Sequence, residues 1–253
     1  MKSEKILFAP GHYSYLPGGF QYSAAVIAEP GYIIEHARFS RLVPMAAAFE
    51  HIEAHLSARG LPSTALCSCE LRSPAPMTEE DFVVFNQGYV QPLTRMGLYR
   101  DGVNPVARCN LVPGALPPLE PSFFGFSYVV PAGRPVGILD FVTSGAAECP
   151  DRPGYRNNIV RLGETSPDAL REKLKFAIGD LESRFEILQL NWRDVSSMRL
   201  YSVHDLHAAL LSEAIPRGAM VNGLEWHFVR PPILDLEIEI DARRVSQGVL
   251  ISV

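Results

Sequence analysis

Two parts of the chain carry residues whose types and positions could act together on a small anion. In the first half, Arg108 and Cys109 follow Pro105 at the predicted start of a strand. A guanidinium presents a planar fork of donors that matches a carboxylate with two hydrogen bonds, and Cys109 could line the same site. The alternative interpretation of Arg108 is a surface side chain in a salt bridge.

Three acids near the end of the second half could supply proton chemistry. Glu237, Glu239 and Asp241 alternate with apolar residues, so a strand would carry all three on one face. That face could be solvated, as is common for alternating strands. Alternatively, one acid could lie in a cleft, where loss of water raises its pKa and lets it exchange protons near neutral pH. With the cation and the acids in separate halves, we predict one composite site.

Other candidate motifs point away from metal and phosphate chemistry. His51 and His55 lie one helical turn apart, but the position of the nearby glutamate does not fit the zinc-protease pattern and no third ligand follows. We interpret this pair as structural or exposed. Residues 17–19 lack the lysine and the spacing of a phosphate-binding loop. No metal is therefore predicted.

The elements that would position these residues follow a similar order in both halves. Apolar stripes predict helices at residues 44–59, 78–97, 166–188 and 205–215. Thr78 and Ser166 are the predicted N-caps of the second and third helices. Strands are predicted at residues 22–27, 32–37, 63–71, 106–112, 123–130, 138–145, 195–201, 224–229 and 236–241, the first two as a hairpin.

The division between the halves is predicted at residues 131–137, where two prolines and two glycines interrupt regular structure. We therefore predict an N-terminal repeat, residues 1–131, and a C-terminal repeat, residues 132–253. Each has the element order β-β-α-β-α-β-β. Helices with one apolar stripe must cover one face of a sheet, so the predicted fold class is α+β, with tandem repeats of a mixed sheet and two helices on one face.

Composition narrows the classes of partner. The chain has 253 residues, of which 47% are hydrophobic and 20% charged, so it can build a sizeable core. A net charge of −5 without a basic cluster argues against nucleic acid as the main partner. The apolar run at residues 6–9 is too short for a signal peptide or a membrane span. We expect a cytosolic protein whose four cysteines are reduced and mostly buried.

Both halves resemble the Rid family of YjgF-type enamine/imine deaminases. In the second half the resemblance runs through Thr143-Ser144-Gly145, the predicted helix at 171–190 and the strands at 195–201 and 236–242. In the first half it is carried by Tyr22-Ser23-Ala24-Ala25-Val26, Asn86-x-x-Tyr89 and Ala107-Arg108-Cys109. A double-length chain of this kind is also similar to the larger 2-aminomuconate deaminases.

The resemblance implies a chorismate-mutase-like fold and a homo-oligomer, most often a trimer, with ligand sites in clefts between units. It implies that Arg108 binds a substrate carboxylate and that Glu239, with a water molecule, handles protons. By the same resemblance, the substrate-binding residues are Tyr22, Asn86, Ser144 and Gly145, with the Gly145 amide holding developing charge. It implies no metal and no organic cofactor.

Departures from the family pattern distinguish two kinds of cleft. The second repeat has Gly223-Leu224-Glu225 where the family arginine is expected, and the first repeat has no glutamate at 123–128. The first repeat also has Glu35-His36 in place of Ser-Gly. One cleft would therefore combine Arg108 with Glu239, and the other would be degenerate. Glu237 is the alternative to Glu239 if the last strand is shifted by two residues.

The leading functional hypothesis is hydrolytic deamination of a small enamine/imine carboxylate resembling 2-aminomuconate, with release of ammonia. A second hypothesis is a non-catalytic carboxylate-binding or assembly protein on the same fold. A chorismate-mutase-type rearrangement is a third, although a fold does not determine a function. The first two differ in whether Arg108 and Glu239 face one pocket.

Overall fold

The computed structural model describes residues 4–133 and 137–253 and contains two mixed β-sheets with helices. The strands are β1 (Ile6–Phe8), β2 (Tyr13–Leu16), β3 (Ala25–Ala28), β4 (Tyr32–Pro44), β5 (Leu66–Arg72), β6 (Ala107–Pro113), β7 (Ser122–Pro131), β8 (Phe141–Thr143), β9 (Ala146–Ala147), β10 (Ser197–Tyr201), β11 (Leu224–His227), β12 (Val229–Arg230), β13 (Glu239–Arg244) and β14 (Gln247–Ile251). The helices are α1 (Met45–Ala58), α2 (Glu79–Arg95), α3 (Pro167–Leu188) and α4 (His207–Ala209), which continues as a π-helical turn (Leu210–Ala214).

The predicted caps begin two of these helices. The Thr78 hydroxyl accepts a hydrogen bond from the Asp81 amide at the start of α2, and the Ser166 hydroxyl accepts one from the Ala169 amide at the start of α3. These bonds satisfy amides that have no partner within the helix. The helix α3 ends at Gln189, whose φ of 60° places it in the left-handed region. The four predicted helices are confirmed, with shifts of a few residues at their ends.

Each sheet carries helices on one face. Sheet A has the order β1-β2-β3-β8-β13-β10-β11, with β9 paired to β13, and its apolar face packs against α3 and the α4 segment. Sheet B has the order β12-β6-β5-β7-β4-β14, and it packs against α1 and α2. Both sheets contain parallel and antiparallel pairs. The α+β architecture expected from the sequence is confirmed.

The faces that carry no helix pack against each other. Tyr13, Val26 and Val142 of sheet A form one buried cluster with Ile34 and Val129 of sheet B. Burying these faces within one chain stabilises the pair of sheets, because the exposed alternative would leave a large apolar surface in water. The packing also brings β6 of sheet B next to β8 of sheet A, where the Gly145 amide donates to the Arg108 carbonyl at 3.2 Å.

The predicted hairpin of residues 22–27 and 32–37 is wrong. The strand β3 pairs with β2 and β8, whereas β4 pairs with β7 and β14 in the other sheet. Every residue of β3 is buried, as befits a central strand, and such an apolar run does not reveal its partners.

The two sheets exchange strands across the predicted division of the chain. Residues 6–28 lie in sheet A with the second half, and β12 and β14 lie in sheet B with the first half. Residues 134–136 of the predicted boundary lie outside the described residues. The division into residues 1–131 and 132–253 therefore stays a prediction.

Two expectations from composition can be compared with the structure. All four cysteines are buried free thiols, as predicted. Within residues 4–133 and 137–253, no helix is long and apolar enough to cross a membrane.

Candidate active site

Arg108 and Glu239 line one cavity, of about 60 Å³, where the two halves of the chain meet. The first half contributes β6 and α2 to the cavity wall. The second half contributes the β8–β9 connection, α3, β13 and the loop around Asp151. The composite arrangement expected from the sequence is therefore present within one chain.

The Arg108 side chain is 4% exposed and is held by aromatic and amide groups. Its Nη1 donates to the Asn86 Oδ1 at 2.7 Å, and its guanidinium carbon lies 4.7 Å from the centre of the Tyr89 ring and 5.5 Å from that of Tyr22. Among the described residues no carboxylate forms an ion pair with it. An unpaired buried cation is costly, so this geometry favours binding of an anion. The interpretation of Arg108 as a surface residue is wrong.

Glu239 lies in an environment that favours its neutral form. It is 6% exposed, and burial, followed by the nearby charge of Asp241, raises its pKa to about 8 although Arg108 and Arg72 act in the opposite direction. Near pH 7 the carboxyl group is therefore mostly protonated and can donate a proton. Its carboxyl packs so closely on Gly145 that a Cβ there would overlap Oε1, which explains why a residue without a side chain stands at this position.

The other two acids of the predicted trio lie elsewhere. Glu237 accepts hydrogen bonds from Arg230 at 2.7 Å and interacts with His204 at 2.6 Å, and it does not line the cavity. Asp241 is fully buried and pairs with Arg243 at 3.1 Å. The interpretation of the acids as a solvated face is wrong for Glu239 and Asp241. Of the two alternatives left open, the geometry favours Glu239 over Glu237.

Three of the expected substrate-binding groups need correction. Cys109 packs with Leu111 and Tyr201 on the opposite face of β6, because neighbouring residues of a strand point to opposite sides. The Ser144 hydroxyl accepts from the Arg108 amide at 2.7 Å and donates to the Ser23 carbonyl at 2.5 Å, so it joins the halves and does not line the cavity. The Gly145 amide is committed to Arg108, so it is not free to hold developing charge.

Tyr22 and Asn86 keep supporting positions beside Arg108. Tyr22 lines the cavity. Burial, followed by the charge of the Asp151 carboxylate, which also accepts a hydrogen bond from the Tyr22 hydroxyl, raises the pKa of this hydroxyl well above its usual value. Asn86 is 1% exposed and does not line the cavity. It therefore orients Arg108 and does not contact a ligand directly.

Several cavity residues were missed by the sequence reasoning. Asn110 could have been found, since it follows Arg108 by two residues in a strand and so shares its face. Asp151 and Tyr155 belong to a loop that no periodic signal marks, and the Tyr155 hydroxyl donates to Asp151 at 2.7 Å. Arg184 of α3 lines the cavity but is committed to the Ser144 carbonyl at 2.6 Å and to Asp180.

The predicted histidine pair has roles in packing. His55 Nε2 lies 2.9 Å from the Tyr128 hydroxyl, and the His51 ring lies 6.1 Å from that of Phe39. In the part of the chain that the structure describes, no group of three His, Cys, Asp or Glu side chains is arranged to hold a metal ion.

A second groove lies between the sheets, lined by residues of both. Glu225, which stands where the resemblance expects the family arginine, lies on β11 and pairs in register with Arg199 of β10. Phe124 of β7 also lines the groove. Glu225 forms an ion pair with Arg199 at 3.2 Å. Arg38 also lines the groove, and its guanidinium carbon lies 5.8 Å from the centre of the Phe124 ring.

The chain is similar to known enzymes along almost its whole length. Residues 5–249 match the family described as 2-aminomuconate deaminase CnbZ. The chain is 44% identical over 243 residues to a 2-amino-5-chloromuconate deaminase of Comamonas testosteroni, a match that covers 95% of this chain and 96% of the relative.

A solved structure of a chorismatase shares the fold. Its TM-score is 0.53 at 14% sequence identity, and the match covers 88% of this chain and 77% of the chorismatase. At this identity the similarity concerns the fold alone, and it agrees with the chorismate-mutase-like fold that the sequence implied. Because the family match spans almost the whole chain, the protein belongs to the 2-aminomuconate deaminase family, whose members are enzymes that act on C–N bonds.

Proposed function

We propose that this protein deaminates an aminomuconate-type enamine carboxylate by hydrolysis and releases ammonia. One observation carries the proposal: an unpaired buried guanidinium and a carboxyl group with a pKa near neutrality line the same cavity. The name of the relative, a 2-amino-5-chloromuconate deaminase, supports this substrate class. Muconates have the six-carbon diene skeleton of an opened aromatic ring, so we also propose a role in the degradation of aromatic compounds.

The first chemical step is protonation of carbon. Arg108 binds the carboxylate next to the amino-bearing carbon, with its fork of donors oriented by Asn86. The neutral Glu239 transfers its proton to the enamine carbon adjacent to the amino-bearing one, which converts the enamine into an iminium ion. The enzyme thereby creates the electrophile from the substrate itself, and Glu239 becomes a carboxylate.

The second step is addition of water. The Glu239 carboxylate takes a proton from a water molecule as its oxygen bonds to the iminium carbon, and a carbinolamine forms. Glu239 then passes that proton to the nitrogen, the C–N bond breaks, and ammonia leaves as the hydroxyl proton is lost. The products are a keto acid, or its enol tautomer, and ammonia, and Glu239 recovers its starting proton from solvent.

The experiment that tests this function is a direct assay of the purified protein. We expect ammonia release from 2-aminomuconate and a slower reaction with a simple 2-aminoacrylate-type imine, which makes fewer contacts. Ammonia release no faster than in buffer, together with tight binding of the substrate, would support the alternative of a carboxylate-binding protein.

A homotrimer and a cytosolic location also remain proposals. The trimer rests on the resemblance to the Rid family. The sheet faces that carry no helix already pack against each other within one chain, so they do not require a second chain to cover them. Cell fractionation would test the location.

A further inference from the structure

Asn110 is a buried polar residue in the cavity wall that the mechanism above does not use. Its side chain is 3% exposed, and it lies two residues after Arg108 on β6. The Ser73 hydroxyl donates to Asn110 Oδ1 at 2.9 Å. This bond fixes which end of the amide faces Ser73 and leaves Nδ2 on the other side.

The Nδ2 group has no hydrogen-bond partner within the described residues. A buried N–H group without an acceptor destabilises a folded protein, and buried polar groups at binding sites are often satisfied only by the ligand. Asn110 lines the cavity, so a small rotation of its amide would bring the unpaired N–H to an acceptor on a bound molecule.

The chemistry of the ligand follows from the spacing of the two donors. Residues two apart on a strand face the same side at a separation of about 7 Å. Arg108 and Asn110 therefore offer two groups of donors to one extended molecule that has oxygen acceptors at both ends. A six-carbon diene with a carboxylate at each end has this character, and its monocarboxylic counterpart does not.

We propose that Asn110 is a specificity-determining residue, whose side-chain N–H donates to the second carboxylate of a dicarboxylate held at its other end by Arg108. This inference rests on the proposed function for the identity of the substrate class. It adds that the enzyme selects diacids over monoacids through a neutral amide, which binds a carboxylate without the charge of a second unpaired arginine.

The test compares two ligands that lack the reacting amino group, so binding is separated from turnover. Muconate carries two carboxylates, and sorbate has the same six-carbon diene with a methyl group at one end. Calorimetry of the full chain should show that the wild-type protein binds muconate at least about tenfold more tightly than sorbate, since a hydrogen bond to a charged group is worth about that ratio.

Two variants remove the donor in different ways. Asn110→Asp keeps the shape and the acceptor for Ser73 but loses the N–H, and Asn110→Leu loses it without adding charge. Both should lose about tenfold or more in affinity for muconate, while sorbate binding stays within about twofold in Asn110→Leu. Ser73→Ala is the control, because it removes the group behind the amide and leaves Nδ2 in place, and it should keep most of the preference for muconate.

The outcomes separate this inference from the proposed function. Equal affinity of the wild-type protein for muconate and sorbate would overturn the proposed role of Asn110, and this measurement does not depend on whether the variants fold. An unchanged preference for muconate in Asn110→Leu would also overturn it. Equal weakening of both ligands in that variant would also overturn it, because the residue would then only shape the cavity. If the predicted preference is found but 2-aminomuconate yields no ammonia, the proposed function fails and this inference stands.

Discussion

Arg108 and Glu239 acquire their proposed roles from their surroundings. Aromatic rings and an amide surround the guanidinium, and no acid of the described chain neutralises it. The carboxyl group has been removed from water and lies against Gly145. Binding of an anion between them would therefore relieve an unpaired charge and keep Glu239 protonated.

Replacement of Glu239 by glutamine should abolish proton transfer and retain binding. Glutamine preserves the shape but cannot release a proton, so kcat should fall by about 10²–10⁴ while muconate affinity changes little. Steady-state rates and calorimetry would measure both quantities. Glu237→Gln is the matched control, since Glu237 is engaged with Arg230 and His204 outside the cavity, and it should retain activity. A dead Glu237→Gln with an active Glu239→Gln would contradict the assignment.

The activity of the wild-type protein should depend on pH through the same group. The form of Glu239 that donates a proton is the protonated one, and its pKa is raised to about 8. Therefore kcat/KM should be level below this value and fall by about tenfold per pH unit above it. A profile that instead rises through pH 8 would show that the free enzyme must start from the carboxylate, with Glu239 as a base.

The substitution Arg108→Lys should impair binding more than stability. Lysine keeps the positive charge but loses the planar fork and the geometry of the bond to Asn86. We expect kcat/KM to fall by about tenfold to a hundredfold, with a thermal midpoint close to that of the wild-type protein. Arg100→Lys is the control, because Arg100 is 88% exposed in its salt bridge. Unchanged turnover in Arg108→Lys would show that this residue does not anchor the carboxylate.

Between the sheets, packing depends on buried charges as well as on apolar side chains. Glu70 of β5 accepts hydrogen bonds from Arg199 of β10 and Arg243 of β13, and so connects sheet B to sheet A. Burial alone would raise the pKa of Glu70, but the two arginines hold it well below 4.5. This group is ionised throughout the neutral range and stabilises the association of the sheets that form the cavity.

Replacement of Glu70 by glutamine should destabilise the fold by about 3–5 kcal/mol, because two buried guanidinium groups lose their counter-charge. Urea unfolding at pH 7 would measure the loss. Since the pKa is lowered in the folded state, the difference from wild type should be full above about pH 4.5 and shrink as the pH falls below it. Glu225→Gln, at a side chain that is 52% exposed, is the control and should cost less than about 1 kcal/mol. Equal effects of the two substitutions would refute the role of Glu70.

The sequence predicted the positions of the helices and strands better than it predicted which strands pair with each other. Helix ends follow from local signals, such as the Thr78 and Ser166 caps, and the match to Glu239 predicted the acid of the cavity. The exchange of β3 and β14 between sheets was not predictable, because pairing of remote strands leaves no trace in local periodicity. The loop at Asp151 was missed because no periodic signal marks it, and Cys109 was misassigned because a motif match was preferred to strand alternation.

At the scale of the whole molecule, the proposed trimer can be tested by sedimentation. Three chains of 27.9 kDa should sediment as one species at micromolar concentration. The expected result is a trimer that does not dissociate on tenfold dilution. A stable monomer that retains deaminase activity would contradict it and would show that the cavity is complete within one chain.

The exchange of strands between the sheets has a consequence for the time at which the protein can fold during its synthesis. Strand β3 meets β8 only after residues 141–143 have been made, and β4 waits for β14 at residues 247–251. The hydrogen bond from the Val253 amide to Ser40 spans 213 residues. Contacts of such long range form slowly, and an unpaired edge such as that of β4 can meanwhile associate with other chains. A nascent chain that does not yet contain β14 should therefore aggregate more readily than one in which residues 247–251 have been made.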